Sequence, residues 1–124
     1  MMKKTLIASV LVLTTTAAYA ASITLDAGKS LRQQTKTIAA NAGYTVLWKL
    51  DVDAPAGESV HPYARWQDAI YGATKQLSKT TTADTKIADL AAPVVCDGSK
   101  TIVVTTLGDA RNIVRAEPGC QALK

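Results

Sequence analysis

Residues 22–50 constrain the fold most, because they read as strand, helix and strand with a marked start and stop at each junction. In "SITLDAG", Ile23 and Leu25 alternate with Thr24 and Asp26, the period of a half-buried strand. "SLRQQTKTIAANAG" then places Leu31, Thr35, Ile38, Ala39 and Ala42 on one narrow helical face. Ser30 and Gln33 fit the S-x-x-Q box, which supplies backbone donors at a helix start with side-chain partners. Gly43 is placed to end the helix in the left-handed conformation. "YTVLWKL" follows, with Tyr44, Val46, Trp48 and Leu50 on one face and Thr45, Leu47 and Lys49 on the other.

Gly28-Lys29-Ser30, lying between strand and helix, invites comparison with a phosphate-binding loop. Such a loop needs a glycine five residues before its Gly-Lys pair, so that the backbone can wrap the phosphates. Ile23 occupies that place, so Gly28 is read as a turn residue and Ser30 as a cap.

Further along, "DVDAPAGESVHPYA" (51–64) reads as a loop or irregular edge, with a short strand near Val60. "RWQDAIYGATKQLSK" is a second amphipathic helix with a stripe of Trp66, Ala69, Ile70, Ala73 and Leu77, in which Gly72 permits close packing. "TTTADT" is a polar connection. "APVVCDGSKTIVVTT" reads as a hairpin about Asp97-Gly98, with Val94–Cys96 pairing Thr101–Thr105. In the last stretch, Ile113 and Val114 fit a short strand or a turn of helix. The expected fold class is α+β, a small mixed sheet with two amphipathic helices on one face in the order β-α-β-α-β-β.

The opening residues add a compartment. Lys3 and Lys4, the apolar run Leu6–Leu13 and the small-x-small pattern Ala18-Tyr19-Ala20 are those of a secretory signal peptide, expected at 1–20. No cysteine lies near Ala21 to carry a lipid anchor. Two of the 14 basic residues leave with that segment, taking the formal charge from +4 to +2, and the rest are scattered. A phosphate-binding surface needs a patch, so nucleic acid is not expected as a partner. In an oxidising periplasm, Cys96 and Cys120 read as one disulfide, worth roughly 3.5 kcal/mol on the chain-entropy model. It would tie a tail (109–124) to a domain (21–108).

Chemistry-bearing sets are sparse. Asp51 and Asp53, with only Glu58 near, read as solvated loop charges. His61 is the single histidine, beside a proline, and reads as a surface residue. Ser59, Ser78 and Ser99 lack a nucleophile motif. Trp48 and Trp66 fall on inward stripes and read as core, whereas Tyr63 and Tyr71 are better surface candidates. The expectation is a protein that is not an enzyme, with no catalytic residue, metal, cofactor or small-molecule substrate.

"LDAGKSLRQQTKTIAANAGYTVLWKLDVD" resembles the core signature of the toxin-coregulated-pilus biosynthesis protein Q family and the related short N-terminal domains of secretins and TonB-dependent receptors. The matching residues are Leu25, Gly28, Ser30, Leu31, Ala40, Gly43, Tyr44, Val46, Trp48 and Asp51. "ARWQDAI" resembles the family's later helix and "SKTIVVTT" its last strand, so the likeness runs over residues 22–106. It implies a non-catalytic periplasmic accessory protein of type IVb pilus biogenesis, or of a related conjugative or secretion system. The implied partners are an outer-membrane secretin and other pilus-assembly proteins. The expected partner-binding strand is Tyr44, Thr45, Val46, Leu47, Trp48, Lys49 and Leu50, which would pair through an open sheet edge. The rival expectation is a stand-alone periplasmic inhibitor of a lysozyme or protease, with the 51–64 loop as its plug.

Overall fold

A computed structural model describes residues 22–57, 60–79 and 90–124. The expected signal peptide, the 80–85 connection, Glu58, Ser59 and the His61 side chain lie outside the described residues. The elements in chain order are β1 (Ile23–Leu25), α1 (Leu31–Asn41), β2 (Thr45–Trp48), β3 (Val60–Tyr63), α2 (Trp66–Lys79), β4 (Ala91–Cys96), β5 (Thr101–Thr106), α3 (Leu107–Ala116) and β6 (Cys120–Ala122).

Four strands form a mixed sheet in the order β2-β5-β4-β6. β2 runs parallel to β5, with Thr45 opposite Thr101 and Trp48 opposite Val104. β4 is antiparallel to both β5 and β6. The fold is α+β, with the mixed sheet the sequence called for.

Side-chain alternation along β5 divides the core in two. Ile102 and Val104 are fully buried on the face covered by α1 and α2, where they meet Leu31, Ile38, Ile70 and Leu77. Val103 points the other way and joins Val94, Ala110 and Cys120 under α3. A strand covered on both faces must be apolar at successive positions, which is why "TIVVTT" does not alternate. α1 and α2 do share one face, as the two apolar stripes required.

The C-terminal segment differs from the sequence reading. The boundary expected at 108 falls inside α3, and β6 extends the sheet beyond β4. α3 starts at a capped turn: the Thr106 hydroxyl accepts from the Asp109 N–H at 3.2 Å, and the Thr105 hydroxyl donates to Asp109 Oδ2 at 2.8 Å. The expected disulfide is formed between Cys96 and Cys120, which sit opposite each other in the β4/β6 register.

β1 also departs from the reading. Instead of joining the main sheet it pairs antiparallel with β3 in a separate two-stranded ribbon against α1 and α2. Leu25 is fully buried there, so the alternation was sound while the partner was different.

Candidate functional site

The expected partner strand, 44–50, is shorter as a strand but keeps its two faces. Tyr44, Val46, Trp48 and Leu50 are half-buried against the α1/α2 core, and Thr45, Leu47 and Lys49 are exposed. β2 is the terminal strand of the sheet. The Thr45 N–H donates to the Lys100 carbonyl at 2.9 Å and the Lys49 N–H to the Val104 carbonyl at 2.8 Å. Residues two apart in a strand aim their backbone groups at the same neighbour. Thr45, Leu47 and Lys49 therefore face β5, and the backbone groups of Val46 and Trp48 face outward. No strand pairs with that edge among the described residues.

Apolar surface accompanies the open edge. Leu47 and Val52 are the large hydrophobic residues left exposed among the described residues, each at 51%. α3 packs on β4, β5 and β6 and leaves β2 uncovered on that side. A cavity of about 410 Å³ results, bordered by Leu47, Lys49, Val103, Ile113 and Glu117. Lys49 reaches Asp109 at 3.4 Å, an exposed pair of little energetic weight. Asp109 is held below the usual carboxylate range by the Thr105 hydroxyl; burial opposes this, and Lys49 adds to it.

The two ends of β2 are fixed by aromatic side chains. The Tyr44 ring lies 4.8 Å from the Trp66 ring, centroid to centroid, and Lys100 sits 5.1 Å above its face. The Tyr44 hydroxyl donates to Asp97 Oδ1 at 2.6 Å, and that bond raises the phenol above its ordinary value. Trp48 donates from Nε1 to the Val52 carbonyl at 3.0 Å, which folds the chain back after the strand. Both tryptophans pack against the core cluster, where their stripes put them.

The following loop has a partner the sequence reading missed. Asp53 was read as a solvated charge, yet its Oδ1 accepts from the N–H groups of Arg32 at 3.0 Å and Ala54 at 2.8 Å. Its Oδ2 accepts from the Ser30 hydroxyl, which itself accepts from the Gln33 N–H at 3.0 Å. A loop carboxylate thus completes the cap that Ser30 begins. Burial pushes the Asp53 carboxyl up, but the bonds from Ser30, Arg32 and Ala54 outweigh it and hold the carboxyl low. Gln34 clamps the preceding turn by accepting from the Asp26 N–H at 2.7 Å and donating to the Asp26 and Lys29 carbonyls at 3.1 Å. Gly28, at φ +80°, makes that turn, and Lys29 reaches Asp26 at 3.4 Å.

No family model, curated protein or solved structure matches this chain.

The remaining sequence candidates do not converge on β2. Ser78 bonds the backbone of Ala91, and Ser99 donates to the Cys96 carbonyl at 3.4 Å. Tyr63, read as a surface residue, is half-buried against the core with its ring over Gly72. Burial, and then Asp68, raises its phenol. No cluster of three His, Cys, Asp or Glu side chains is placed to hold a metal among the described residues. No helix among them is long and apolar enough to cross a membrane.

Proposed function

We propose that this chain is a non-catalytic docking module of the bacterial envelope, which adds its β2 edge to a strand of a secretin or of a secretin's assembly partner. The observation that carries the reading is the coincidence of an open parallel edge with exposed Leu47 and the cavity beside it. Edge pairing supplies main-chain hydrogen bonds, and a neighbouring apolar recess receives alternate side chains of the incoming strand. The likeness of residues 25–51 to the pilus-biosynthesis protein Q family adds the compartment and partner class: the periplasm, and the channel of a type IVb pilus or related machine.

The inhibitor reading draws less support, since it needs a projecting loop. The described part of the 51–64 loop is bonded along the start of α1, with the Leu31 N–H on the Ala54 carbonyl at 2.8 Å and the Ala56 N–H on the Lys29 carbonyl at 2.9 Å.

The test is an affinity pull-down of the tagged protein from solubilised envelopes, read by mass spectrometry, beside the Leu47→Lys variant. A charge on an exposed edge strand opposes pairing without touching the core. The expected result is a secretin multimer with the wild type and none with the variant. A soluble hydrolase in its place, or equal recovery with Leu47→Lys, overturns the reading.

A further inference from the structure

A large cavity lies at the opposite edge of the sheet, away from β2. It measures about 600 Å³, within the range of about 300–1,000 Å³ typical of ligand sites. It exists because β6 is short. β6 pairs with Val94, Val95 and Cys96, so the first half of β4 (Ala91–Pro93) has β5 on its inner side and, among the described residues, no strand on its outer side. That uncovered stretch forms the floor, between α2 on one side and α3 on the other. Apolar groups from Pro93, Leu107, Ala110, Val114 and Leu123 line it.

The outward-facing backbone here is already engaged. Ser78 Oγ accepts from the Ala91 N–H at 3.1 Å and donates to the Ala91 carbonyl at 3.3 Å. Pro93 has no N–H, and its carbonyl accepts from the Leu123 N–H at 3.0 Å. The outward groups of this half-strand thus offer an incoming strand nothing to pair with. A partner must bind through side chains, which favours a helix laid in the groove.

Charge narrows the partner further. Lys75 and Lys79 stand one turn apart on the α2 wall and Arg111 on the α3 wall, all exposed, and among the described residues no Asp or Glu lines the groove. Among the described residues, Asp26, Asp68 and Asp109 are ion-paired elsewhere, with Lys29, Arg65 and Lys49. Complementing the α2 dipole accounts for Lys79 alone, not for Arg111 across the gap. Cations on both walls of an apolar floor match a ridge of apolar side chains flanked by carboxylates on either side. A single lipid head group would call for positive charge at one end only.

We infer that the groove between α2 and α3 binds an acidic amphipathic helix of a partner protein, through its apolar ridge and the Lys75, Lys79 and Arg111 side chains. The inference is independent of the β2 reading, since the two surfaces lie at opposite edges of the sheet.

The test uses the whole exported chain and a fluorescein-labelled helical peptide of Glu-Leu-Leu-Glu repeats, followed by anisotropy. The expected result is saturable binding that weakens as salt rises and falls about tenfold or more in Lys75→Glu/Lys79→Glu. Val114→Trp, which narrows the groove from its α3 wall, is expected to lower affinity similarly, and circular dichroism checks that each variant is folded. Absence of saturable binding, equal binding of the peptide with Lys for Glu, or unchanged affinity in Lys75→Glu/Lys79→Glu overturns the inference. So does displacement of the peptide by oleate at lower concentration than unlabelled peptide, which would assign the groove to a lipid. A tenfold gain of affinity on replacing 80–89 by a Gly-Ser linker would make that segment of the chain the occupant, and also overturns it.

Discussion

Cys96 and Cys120 are register partners across β4 and β6, and their disulfide fastens a three-residue edge strand. The neighbouring Leu123, 7% exposed, is drawn into the core by the same anchorage.

Reduction is therefore expected to act first on the C-terminal strand. Reduced protein, or Cys96→Ser/Cys120→Ser, should lose about 2–5 kcal/mol of stability. Hydrogen exchange should accelerate at the Leu123 amide, which bonds Pro93, before it does so in β5. Alkylation without reductant should label no cysteine; two labelled cysteines would remove the anchor from the account.

The Asp53 carboxylate joins α1 to the loop after β2 across 21 residues of sequence. Its folded pKa lies below the ordinary value. A carboxyl lowered on folding contributes stability that is present above its unfolded pKa and lost as pH falls toward the folded one. Asp109 carries the same sign. Stability should thus decline below about pH 4, where unfolded carboxylates begin to take up protons. Asp53→Asn should flatten part of that slope, and Asp53→Ala should cost about 1 kcal/mol near neutral pH by removing its share of the cap. Denaturant midpoints measured between pH 3 and 7 decide both; an unaltered slope in Asp53→Asn would show the cap bonds to be indifferent to charge.

How much of this was legible depends on how local each signal is. The α1 cap at Ser30, the left-handed Gly43 at φ +86°, and the α2 stripe ending at Leu77 are written within a turn or two of sequence, and they stand as read. The hairpin was legible at Asp97-Gly98, although the left-handed position falls at Lys100, φ 54°, the end of a four-residue turn. α3 left a signal that went unused: Thr106 to Asp109 is a T-x-x-D cap, followed by Ala110, Ile113 and Val114 at helical spacing. Strand partnership was not legible. Alternation at Ile23 and Leu25 tells which side chains turn inward but is the same whether β1 joins β2 or β3. Asp53 was missed for the same reason, because its partners lie on a different element.

Gly72 faces the Tyr63 ring so closely that an added Cβ would overlap its hydroxyl and ring edge. Helix propensity alone favours alanine over glycine by about 1 kcal/mol. Against that, the half-buried phenol must swing away and the β1–β3 ribbon must lose a contact with α2. Overpacking of this kind costs about 1–3 kcal/mol, so Gly72→Ala should be destabilising on balance. Pairing it with Tyr63→Ala should restore part of the loss relative to Tyr63→Ala alone, because the clash is gone and the propensity gain remains. Thermal unfolding of the three variants tests this; additive effects would show that the ring yields freely.

Neighbouring positions on β2 should behave oppositely, and this separates folding from docking on that strand. Leu47 is 51% exposed and turned from the α1/α2 core, whereas Val46 packs against it. Leu47→Lys should change stability by no more than about 0.5 kcal/mol, as is usual for surface substitutions. Val46→Lys brings an ammonium group toward the apolar cluster of Leu31, Ile102 and Val104, and should cost several times more. Chemical denaturation of both variants measures the difference directly. A large loss in Leu47→Lys would mean that this side chain supports the fold, and its exposure would no longer count toward a docking edge.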